Sequence, residues 1–375
     1  MGDIIYADNA ATTKLDKLAF EAMSSWLLDE YGNASQSYTF ARTPKKAIAE
    51  ARAVIATCIG AEPEEIFFTS GGTESDNWAI KGTLCAEGCS SIATSSVEHH
   101  AVLNACASVE KLGHNVFYIP VDAKGIVSLS CLREHLSCMP VKLVSVMMAN
   151  NEIGTIEPIR ELTSLAHDYG ALVHTDAVQA VGHIPINVKD LQVDMLSASG
   201  HKFNSPKGIG FLYIKKGTSI KPYMDGGAQE FGLRAGTENV PAIVAMAIAL
   251  KNNCSEMEKV TEKLTRMESI FFQTLNQGNV DYIKNGADNK VPGNINLSIK
   301  GVSGEMLLHR LDLKKIFIST GSACDSKNMQ ISHVIQAIGV PADYAEGTIR
   351  VSFGKNNKES DAYAVASAIV DILKR

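Results

Sequence analysis

The sequence predicts an α/β fold in which helices cover a mostly parallel sheet, followed by a smaller α+β domain. Nearly continuous apolar runs of strand length occur at 141–150, 171–177 and 193–200, which is typical of strands buried on both faces. A helical pattern that ends at Gly170 separates the first two runs. Strand, helix and strand at this spacing indicate a parallel sheet.

The pattern changes from about Asn253, where a charged helical segment begins and short strand-like pieces follow before a C-terminal amphipathic helix. We therefore predict a large domain over residues 14–255 and a small domain formed by residues 1–13 and 256–375. The length of 375 residues agrees with two domains, because one domain averages roughly 150 residues.

Composition narrows the classes of function. Hydrophobic residues make up 45% of the chain and charged residues 20%, as in globular proteins that fold in water. The net charge of −6 gives no electrostatic indication of binding to nucleic acid or to a membrane surface. We find no signal-peptide pattern, and the longest apolar stretch, 240–250, is too short to span a bilayer. Eight cysteines without repeated spacing favour a reducing cytoplasm.

Polar residues follow the apolar runs at the points where the strands are predicted to end. They are Asn151, Asp176, Ser199, His201 and Lys202. Ligands bind outside the carboxyl ends of the strands in open α/β sheets. The sequence therefore predicts one ligand-binding edge to which several strands contribute.

A glycine turn between a strand pattern and a helical pattern is a candidate anion site. Gly71 and Gly72 allow a tight turn that directs backbone N–H groups at an anion, and Thr73 adds a hydroxyl at the helix N-terminus. An ordinary capped turn is the alternative. The lysine of a Walker loop is missing, so a nucleotide site of that kind is not predicted.

Lys202 and Asp176 together indicate a cofactor. A lysine at a ligand edge can form a Schiff base with an aldehyde, although most lysines are solvated loop residues. Asp176 ends a buried strand, where a carboxylate needs a cationic partner such as a protonated pyridine nitrogen. These two groups are diagnostic of pyridoxal 5′-phosphate (PLP), and Gln179 could bond its phenolic oxygen. The alternative, a metal held by His174 and Asp176, lacks a third ligand.

Three further residues are candidates for the chemistry. Cys324 lies among small and polar residues in a predicted loop, which favours an exposed nucleophile over a core thiol. Of the pair His99 and His100, one imidazole could stack on a ring or move protons, and the other would be exposed or in the core. Arg350 lies in a predicted strand and could bind a substrate carboxylate, with a structural salt bridge as the alternative.

Eight short motifs occur in order along essentially the whole chain. They are YADNAATT (6–13), TSGGTESDN (69–77), EHHAV (98–102), NNEIGTIEPI (150–159), HTDAVQAVG (174–182), SGHKFNSPKG (199–208), RAGTENVP (234–241) and GSAC (321–324). Together they resemble the signatures of group I cysteine desulfurases, which are class V aminotransferase-like enzymes of PLP fold type I. The resemblance implies a seven-stranded-type sheet sandwiched by helices, and a homodimer with shared sites.

The resemblance also implies residue roles. Lys202 looks like the Schiff-base lysine, Asp176 the partner of the pyridine nitrogen and Gln179 the contact to the phenolic oxygen. His99 looks like the ring-stacking acid–base residue. The groups implied for the phosphate are Gly72, Thr73, Ser199, His201 and, from the other subunit, Thr237. Asn151 would contact cofactor and substrate, and Arg350 the substrate carboxylate.

The implied reaction is removal of sulfur from L-cysteine, which gives L-alanine and a persulfide on Cys324. The sulfur would pass to an acceptor protein for iron–sulfur cluster assembly or for thiolation of tRNA or a cofactor. A selenocysteine lyase or an aminotransferase of the same fold is an alternative, but neither needs a thiol at this position. A sulfur-relay or scaffold protein without turnover is the non-enzymatic alternative.

The sequence departs from the family pattern at a few positions. Tyr38 and Ala41 stand where the family usually has histidine and glycine, and Ser205 stands where glycine is usual after the lysine. Asp325 places a negative charge directly after Cys324. These departures bear on substrate entry and on the sulfur acceptor rather than on the cofactor.

Overall fold

The computed structural model of the chain describes residues 4–84, 90–320 and 331–374. Within these ranges the strands are β1 (Ile5–Tyr6), β2 (Ile66–Thr69), β3 (Ser91–Ser95), β4 (Asn115–Ile119), β5 (Leu143–Ser145), β6 (Leu172–Asp176), β7 (Met195–Ser199), β8 (Gly210–Ile214), β9 (Tyr282–Lys284), β10 (Asn294–Ile299), β11 (Ile316–Phe317) and β12 (Thr348–Ser352). The helices are α1 (Lys17–Leu28), α2 (Arg42–Ile59), α3 (Gly72–Thr83), α4 (His100–Glu110), α5 (Leu129–Cys138), α6 (Ile159–Asp168), α7 (Val188–Leu191), α8 (Val240–Gln277), α9 (Gly304–Asp312), α10 (His333–Ala337), α11 (Ala342–Ala345) and α12 (Glu359–Leu373).

A sheet of seven strands forms the centre of the described chain, in the order β2-β8-β7-β6-β5-β3-β4. In this sheet β8 runs antiparallel to both of its neighbours, β2 and β7, and the other strand pairs are parallel. The apolar runs at 141–150, 171–177 and 193–200 form β5, β6 and β7. The predicted fold class is confirmed, including the number of strands in the sheet.

Alternate residues of the central strands enter two hydrophobic cores. Val144 and Leu196 pack in the core on the side of α2, α6 and α8. Their chain neighbours, Leu143 and Met195, pack in the core on the side of α3 and α4. Successive side chains of a strand point to opposite faces, so a strand covered by helices on both sides buries the side chains of both faces.

A third hydrophobic core joins the second part of α8 to α9 and α12. Here β10 pairs antiparallel with both β9 and β12, and β1 pairs parallel with β11. The pattern change near Asn253 is not an element boundary, because α8 passes through it without a break. Leu250 lies in the first core and Leu264 in the third, so one helix serves both. The division at residue 255 stays a prediction, and it falls within α8.

Length alone does not make α8 a membrane helix. No helix within the described ranges combines enough length with enough apolar character to cross a bilayer.

The carboxyl ends of β2, β3, β5, β6 and β7 lie at one edge of the sheet, and the antiparallel β8 begins there. The register shows this directly, since Gly210 pairs with both Thr69 and Ser199. The N-terminal segment, residues 8–13, reaches the same edge: the Thr13 N–H donates to the carbonyl of His201 at 2.9 Å. The N-terminal segment therefore contributes backbone to the edge where the sequence predicts ligand binding.

Candidate active site

The glycine turn after β2 approaches its neighbours too closely for any side chain. Gly71 has a φ of 150°, and α3 begins at the next residue. A Cβ on Gly72 would lie 2.6 Å from Val178 Cγ2, and one on Gly210 would lie 2.7 Å from Gly71 Cα. The first N–H groups of a helix have no partner within it, so the start of α3 offers donors to an anion. Thr73 lies exposed in this first turn.

Lys202 lies just past the end of β7 and is partly buried. Its Nζ is 2.6 Å from the carbonyl oxygen of Ala10 and 2.9 Å from that of Ala11. The Lys202 carbonyl accepts a hydrogen bond from His183 Nε2 at 2.9 Å. The amine is thus held at the sheet edge by the N-terminal segment, in contrast to a solvated loop lysine.

Asp176 is the last residue of β6 and is 4% exposed. One of its oxygens accepts the Val178 N–H at 2.9 Å. Burial raises the pKa of Asp176 to about 6, against the lowering effects of the Val178 N–H and the Lys202 charge. A cation beside the carboxylate would offset the cost of burying its charge.

Asp76, a buried residue behind Asp176, was not predicted as part of the site, whereas its neighbour His174 was considered only as a metal ligand. Asp76 on α3 lies 3.7 Å from His174 Nε2, and both are almost fully buried. Burial and the charge of Asp176 raise the pKa of Asp76 well above its usual range, and burial lowers the pKa of His174 to about 3. His174 is then neutral at pH 7, and burial beside Asp176 disfavours a charge on Asp76. A polar residue on the buried face of α3 was the available signal in the sequence.

His99 caps the N-terminus of α4, and its Nδ1 accepts the Ala101 N–H at 3.1 Å. Burial, together with the charges of Lys202 and His100, lowers the pKa of His99 to about 4. The imidazole is therefore neutral at pH 7, with its proton on Nε2. The cap fixes the ring at the sheet edge.

Glu98 is a second residue that the sequence did not single out, although it precedes His99 in a recognised motif. It is fully buried, and its Oε1 accepts hydrogen bonds from Ser95 Oγ at 2.7 Å and Met147 N at 2.8 Å. These bonds join the end of β3 to the chain after β5. Burial raises the pKa of Glu98 to about 8. Glu98 thereby anchors the turn that presents His99.

Arg350 lies on β12 and is 3% exposed. Its Nη2 is 2.7 Å from Asp8 Oδ1, and its Nη1 is 2.9 Å from the carbonyl oxygen of Asn151. The structure thus contains the salt bridge that the sequence left as an alternative, with a partner that the sequence did not indicate. It also brings Arg350 to the carboxyl edge of the large sheet.

The N-terminal segment contacts two more predicted positions. Gln179 Nε2 donates to the carbonyl of Ala10 at 3.0 Å. His201 Nδ1 lies 3.1 Å from Thr12 Oγ1. Burial, with the charges of Lys202 and Lys207, lowers the pKa of His201 to about 4. This segment was recognised as a motif, but no site residue was predicted within it.

The remaining predicted residues differ in how the structure places them. Ser199 is buried at the end of β7, where its Oγ would lie 3.3 Å from a Cβ on Gly71. Thr237 is exposed, three residues after Arg234, which binds Glu74 of α3 at 2.8 Å. Cys324 lies outside the described residues.

Three of the four departures from the family pattern lie within the described residues, and Asp325 lies outside them. Tyr38 is exposed, Ala41 is buried at the N-cap of α2, and Ser205 is buried in the turn after Lys202.

The described residues fit the cofactor predicted from the sequence. An amine that can bind an aldehyde, a buried carboxylate that can bind a ring nitrogen and a glycine turn that can bind a phosphate converge on one edge. The raised pKa of Asp176 shows that Lys202 alone does not offset its burial. No group of three or more His, Cys, Asp or Glu side chains in the described ranges is arranged to hold a metal ion.

The buried acid Glu98 gives a test by pH. The folded state holds its proton up to a pKa of about 8, whereas the usual value is 4.5, so the free energy of unfolding falls as pH rises through this window. Glu98→Gln imitates the protonated acid. We expect it to match the wild type at pH 5 and to be more stable by on the order of 3 kcal/mol at pH 8. Urea unfolding midpoints at both pH values measure this, and an equal difference at both would show an effect of packing instead.

Comparison with known proteins places the chain among characterised relatives. The family model described as aminotransferase class-V matches residues 5–365. The cysteine desulfurase IscS of Dictyoglomus turgidum is 48% identical over 374 residues, which cover 99% of this chain and 94% of the relative. The corresponding protein of Methanosarcina thermophila is 44% identical over 373 residues, which cover 99% and 92%.

Solved structures agree with this assignment. A NifS-like protein matches with a TM-score of 0.91 and 35% identity over 99% of this chain and all of that one. The apo structure of a cysteine desulfurase from Thermococcus onnurineus NA1 matches with a TM-score of 0.87 and 26% identity over 99% and 95%. The resemblance drawn from the eight motifs is therefore confirmed, and the chain belongs to the class-V aminotransferase family.

Proposed function

We propose that the chain is a PLP-dependent cysteine desulfurase, which converts L-cysteine to L-alanine and leaves a persulfide on Cys324. The convergence of the Lys202 amine, the Asp176 carboxylate and the His99 imidazole on one sheet edge carries this proposal. Relatives named cysteine desulfurase at 44–48% identity over nearly the whole chain support it.

When bound, PLP supplies an aldehyde for the substrate amine and a ring that takes up electrons from the substrate carbon. Lys202 would hold the aldehyde, Asp176 the ring nitrogen and Gln179 the phenolic oxygen. The phosphate would be held by Gly72, Thr73, Ser199, His201 and the partner subunit's Thr237.

Proton transfer falls to Lys202 and His99. His99 is neutral at pH 7, and its Nδ1 is occupied by the Ala101 N–H, so Nε2 is the atom that can exchange a proton. The Lys202 amine can take a proton from the substrate carbon and return it, because the Ala10 and Ala11 carbonyls stabilise its charged form.

The substrate carboxylate would be bound from the small domain. Arg350 presents its guanidinium at the sheet edge and contacts the backbone of Asn151. A planar guanidinium suits a carboxylate, which accepts two parallel hydrogen bonds from it. Asn151 and Arg350 would thus fix the amino acid between the domains.

Sulfur transfer requires a nucleophile that reaches the substrate. The Cys324 thiolate attacks the substrate sulfur: a sulfur–sulfur bond forms, the carbon–sulfur bond breaks, and its electron pair stays on the carbon, which takes a proton to give alanine. Ser319, five residues earlier, pairs with Arg350 through two backbone hydrogen bonds of 2.7 and 3.1 Å. The chain that leads to Cys324 therefore starts beside the proposed carboxylate site. An acceptor protein for cluster assembly or thiolation would then take the sulfur.

A second copy of the chain would complete each site. Large apolar side chains are exposed on α1, on the loop that follows it and on the segment before α8: Phe20, Leu27, Leu28, Tyr31, Tyr38, Phe40, Met224 and Phe231. Ser35 Oγ and Glu238 Oε2, 3.4 Å apart, connect the loop to the segment that carries the exposed Thr237. Apolar surface of this extent is typical of an interface, and its neighbour Thr237 suits a contact to the other subunit.

A charge on this surface should separate the subunits. We expect Leu28→Asp to shift the protein from dimer towards monomer in sedimentation equilibrium, because burying an unpaired carboxylate opposes association. Leu313→Asp, at an even more exposed leucine at the C-cap of α9, should leave the dimer intact. A monomeric wild type would contradict the proposed assembly.

Lys202→Ala should abolish cofactor attachment. The wild type mixed with PLP should gain an absorbance band near the visible range that survives gel filtration, and the variant should lose it because no amine binds the aldehyde. Lys207→Ala, at an exposed lysine five residues further on, is the matched control and should keep the band. A colourless wild type would overturn the cofactor assignment.

Cys324→Ala should separate cofactor binding from sulfur transfer. With L-cysteine and a thiol reductant, the wild type should release sulfide and alanine. The variant should keep the absorbance band and lose sulfide release, because no persulfide forms. Cys138→Ala, at an exposed cysteine on α5, should retain activity. Full sulfide release by Cys324→Ala would exclude the persulfide role.

A further inference from the structure

The guanidinium of Arg350 already has an anionic partner. Nη2 binds Asp8 Oδ1 at 2.7 Å and Nη1 binds the Asn151 carbonyl at 2.9 Å, while Nε is buried with no hydrogen-bond partner in the part of the chain that the structure describes. Arginine has five N–H donors, and these two bonds use two of them. A carboxylate that binds Arg350 must therefore approach a guanidinium whose charge Asp8 partly balances.

Backbone pairing fixes the position of Asp8. Asp8 forms a parallel bridge with Ser352, two residues after Arg350 on β12. Its neighbours are bonded in register, since the Ser352 N–H donates to Ala7 at 2.8 Å and the Asn9 N–H donates to Ser352 at 3.0 Å. Residues two apart on a strand share a face with their cross-strand partners, so Asp8 and Arg350 meet on one face. The contact follows from the register of the small domain.

The low solvent exposure of Asp8 and Arg350 strengthens the ion pair between them. The Arg350 side chain is 4% exposed and that of Asp8 19%, so water screens the pair weakly. Asp8 then has two opposing effects on an incoming carboxylate. Its hydrogen bond holds the guanidinium in place, which favours binding. Its charge repels the carboxylate and satisfies part of the cation, which disfavours binding.

We propose that Asp8 is a positioning residue that orients Arg350 and weakens its hold on the carboxylate of the amino acid. This inference rests on the proposed function, in which Arg350 binds that carboxylate. Substrate and product of the proposed reaction carry the same carboxylate. Binding both tightly would lower KM without speeding turnover, so a partly neutralised arginine favours release of alanine.

The test measures L-alanine binding to the PLP-loaded protein by isothermal titration calorimetry, a signal that needs no sulfur chemistry. Asp8→Asn keeps an oxygen that can accept from Nη2 but removes the charge, and should lower the Kd by about tenfold. Asp8→Ala removes the charge and the hydrogen bond, and should bind alanine more weakly than Asp8→Asn. In steady-state assays, Asp8→Asn should lower the KM for L-cysteine without raising kcat.

Two controls show whether Asp8 acts through Arg350. With Arg350→Lys as the background, the added Asp8→Asn change should alter the Kd less than about twofold, because the bidentate partner is gone. Asp16→Asn removes the charge from a comparable 3.0 Å ion pair with Lys355, which does not include Arg350, and should leave the Kd unchanged.

Defined results overturn the proposal. They are a wild type that binds no alanine, an Asp8→Asn protein with an unchanged or higher Kd, or the same tightening in the Arg350→Lys background. Absence of sulfide release with normal alanine binding would instead contradict the proposed desulfurase activity. The effect of Asp8 on alanine binding could still be measured in that case.

Discussion

The hydrogen bonds from the Lys202 amine to the carbonyls of Ala10 and Ala11 connect the large central sheet to the N-terminal segment. Ala10 belongs to the segment that pairs with β12 of the small sheet through its neighbour Asn9, whereas Lys202 follows the central strand β7 of the large sheet. One short segment thus contacts groups from both domains. Its position determines where the amine and the guanidinium stand relative to each other, because Asp8 and Ala10 are only two residues apart.

Burial determines how the acidic residues beside the large sheet ionise. Several acids lie beneath the sheet edge, and burial raises the pKa of Asp76, Glu98 and Asp176. Holding all of them ionised in a dry interior would be costly, so Glu98 is mostly protonated at neutral pH and ionisation of Asp76 is disfavoured. Asp176, with a pKa of about 6, carries a negative charge at the ligand edge although it is buried. Neutral His99 and His201 add no competing cation there.

The small domain contributes a different kind of constraint. Arg350 is anchored by the backbone of β12, by Asp8 and by the carbonyl of Asn151, so it is a fixed donor rather than a flexible one. The pairing of Ser319 with Arg350 places the path towards Cys324 beside the same residue. In the proposed function, β12 would therefore connect the binding of the carboxylate with the delivery of the thiol. In the proposed reaction, this arrangement would hold the substrate between a cofactor bound to one domain and a nucleophile carried by the other.

The sequence by itself determined the sheet and its ligand edge, because these depend on local patterns. Apolar runs that end in a polar residue identified β5, β6 and β7 and brought Asp176 and Lys202 forward as candidates. It did not reveal that α8 runs through the pattern change at Asn253, since a helix that leaves one core and enters another changes its apolar face without ending. Contacts between residues far apart along the chain were decided only by tertiary structure. Asp8 and Arg350 are separated by 342 positions, and Ala10 and Lys202 by 192, so no spacing in the sequence could show that they meet. Likewise, the roles of Asp76 and Glu98 follow from burial beside other acids, which depends on how helices and strands pack.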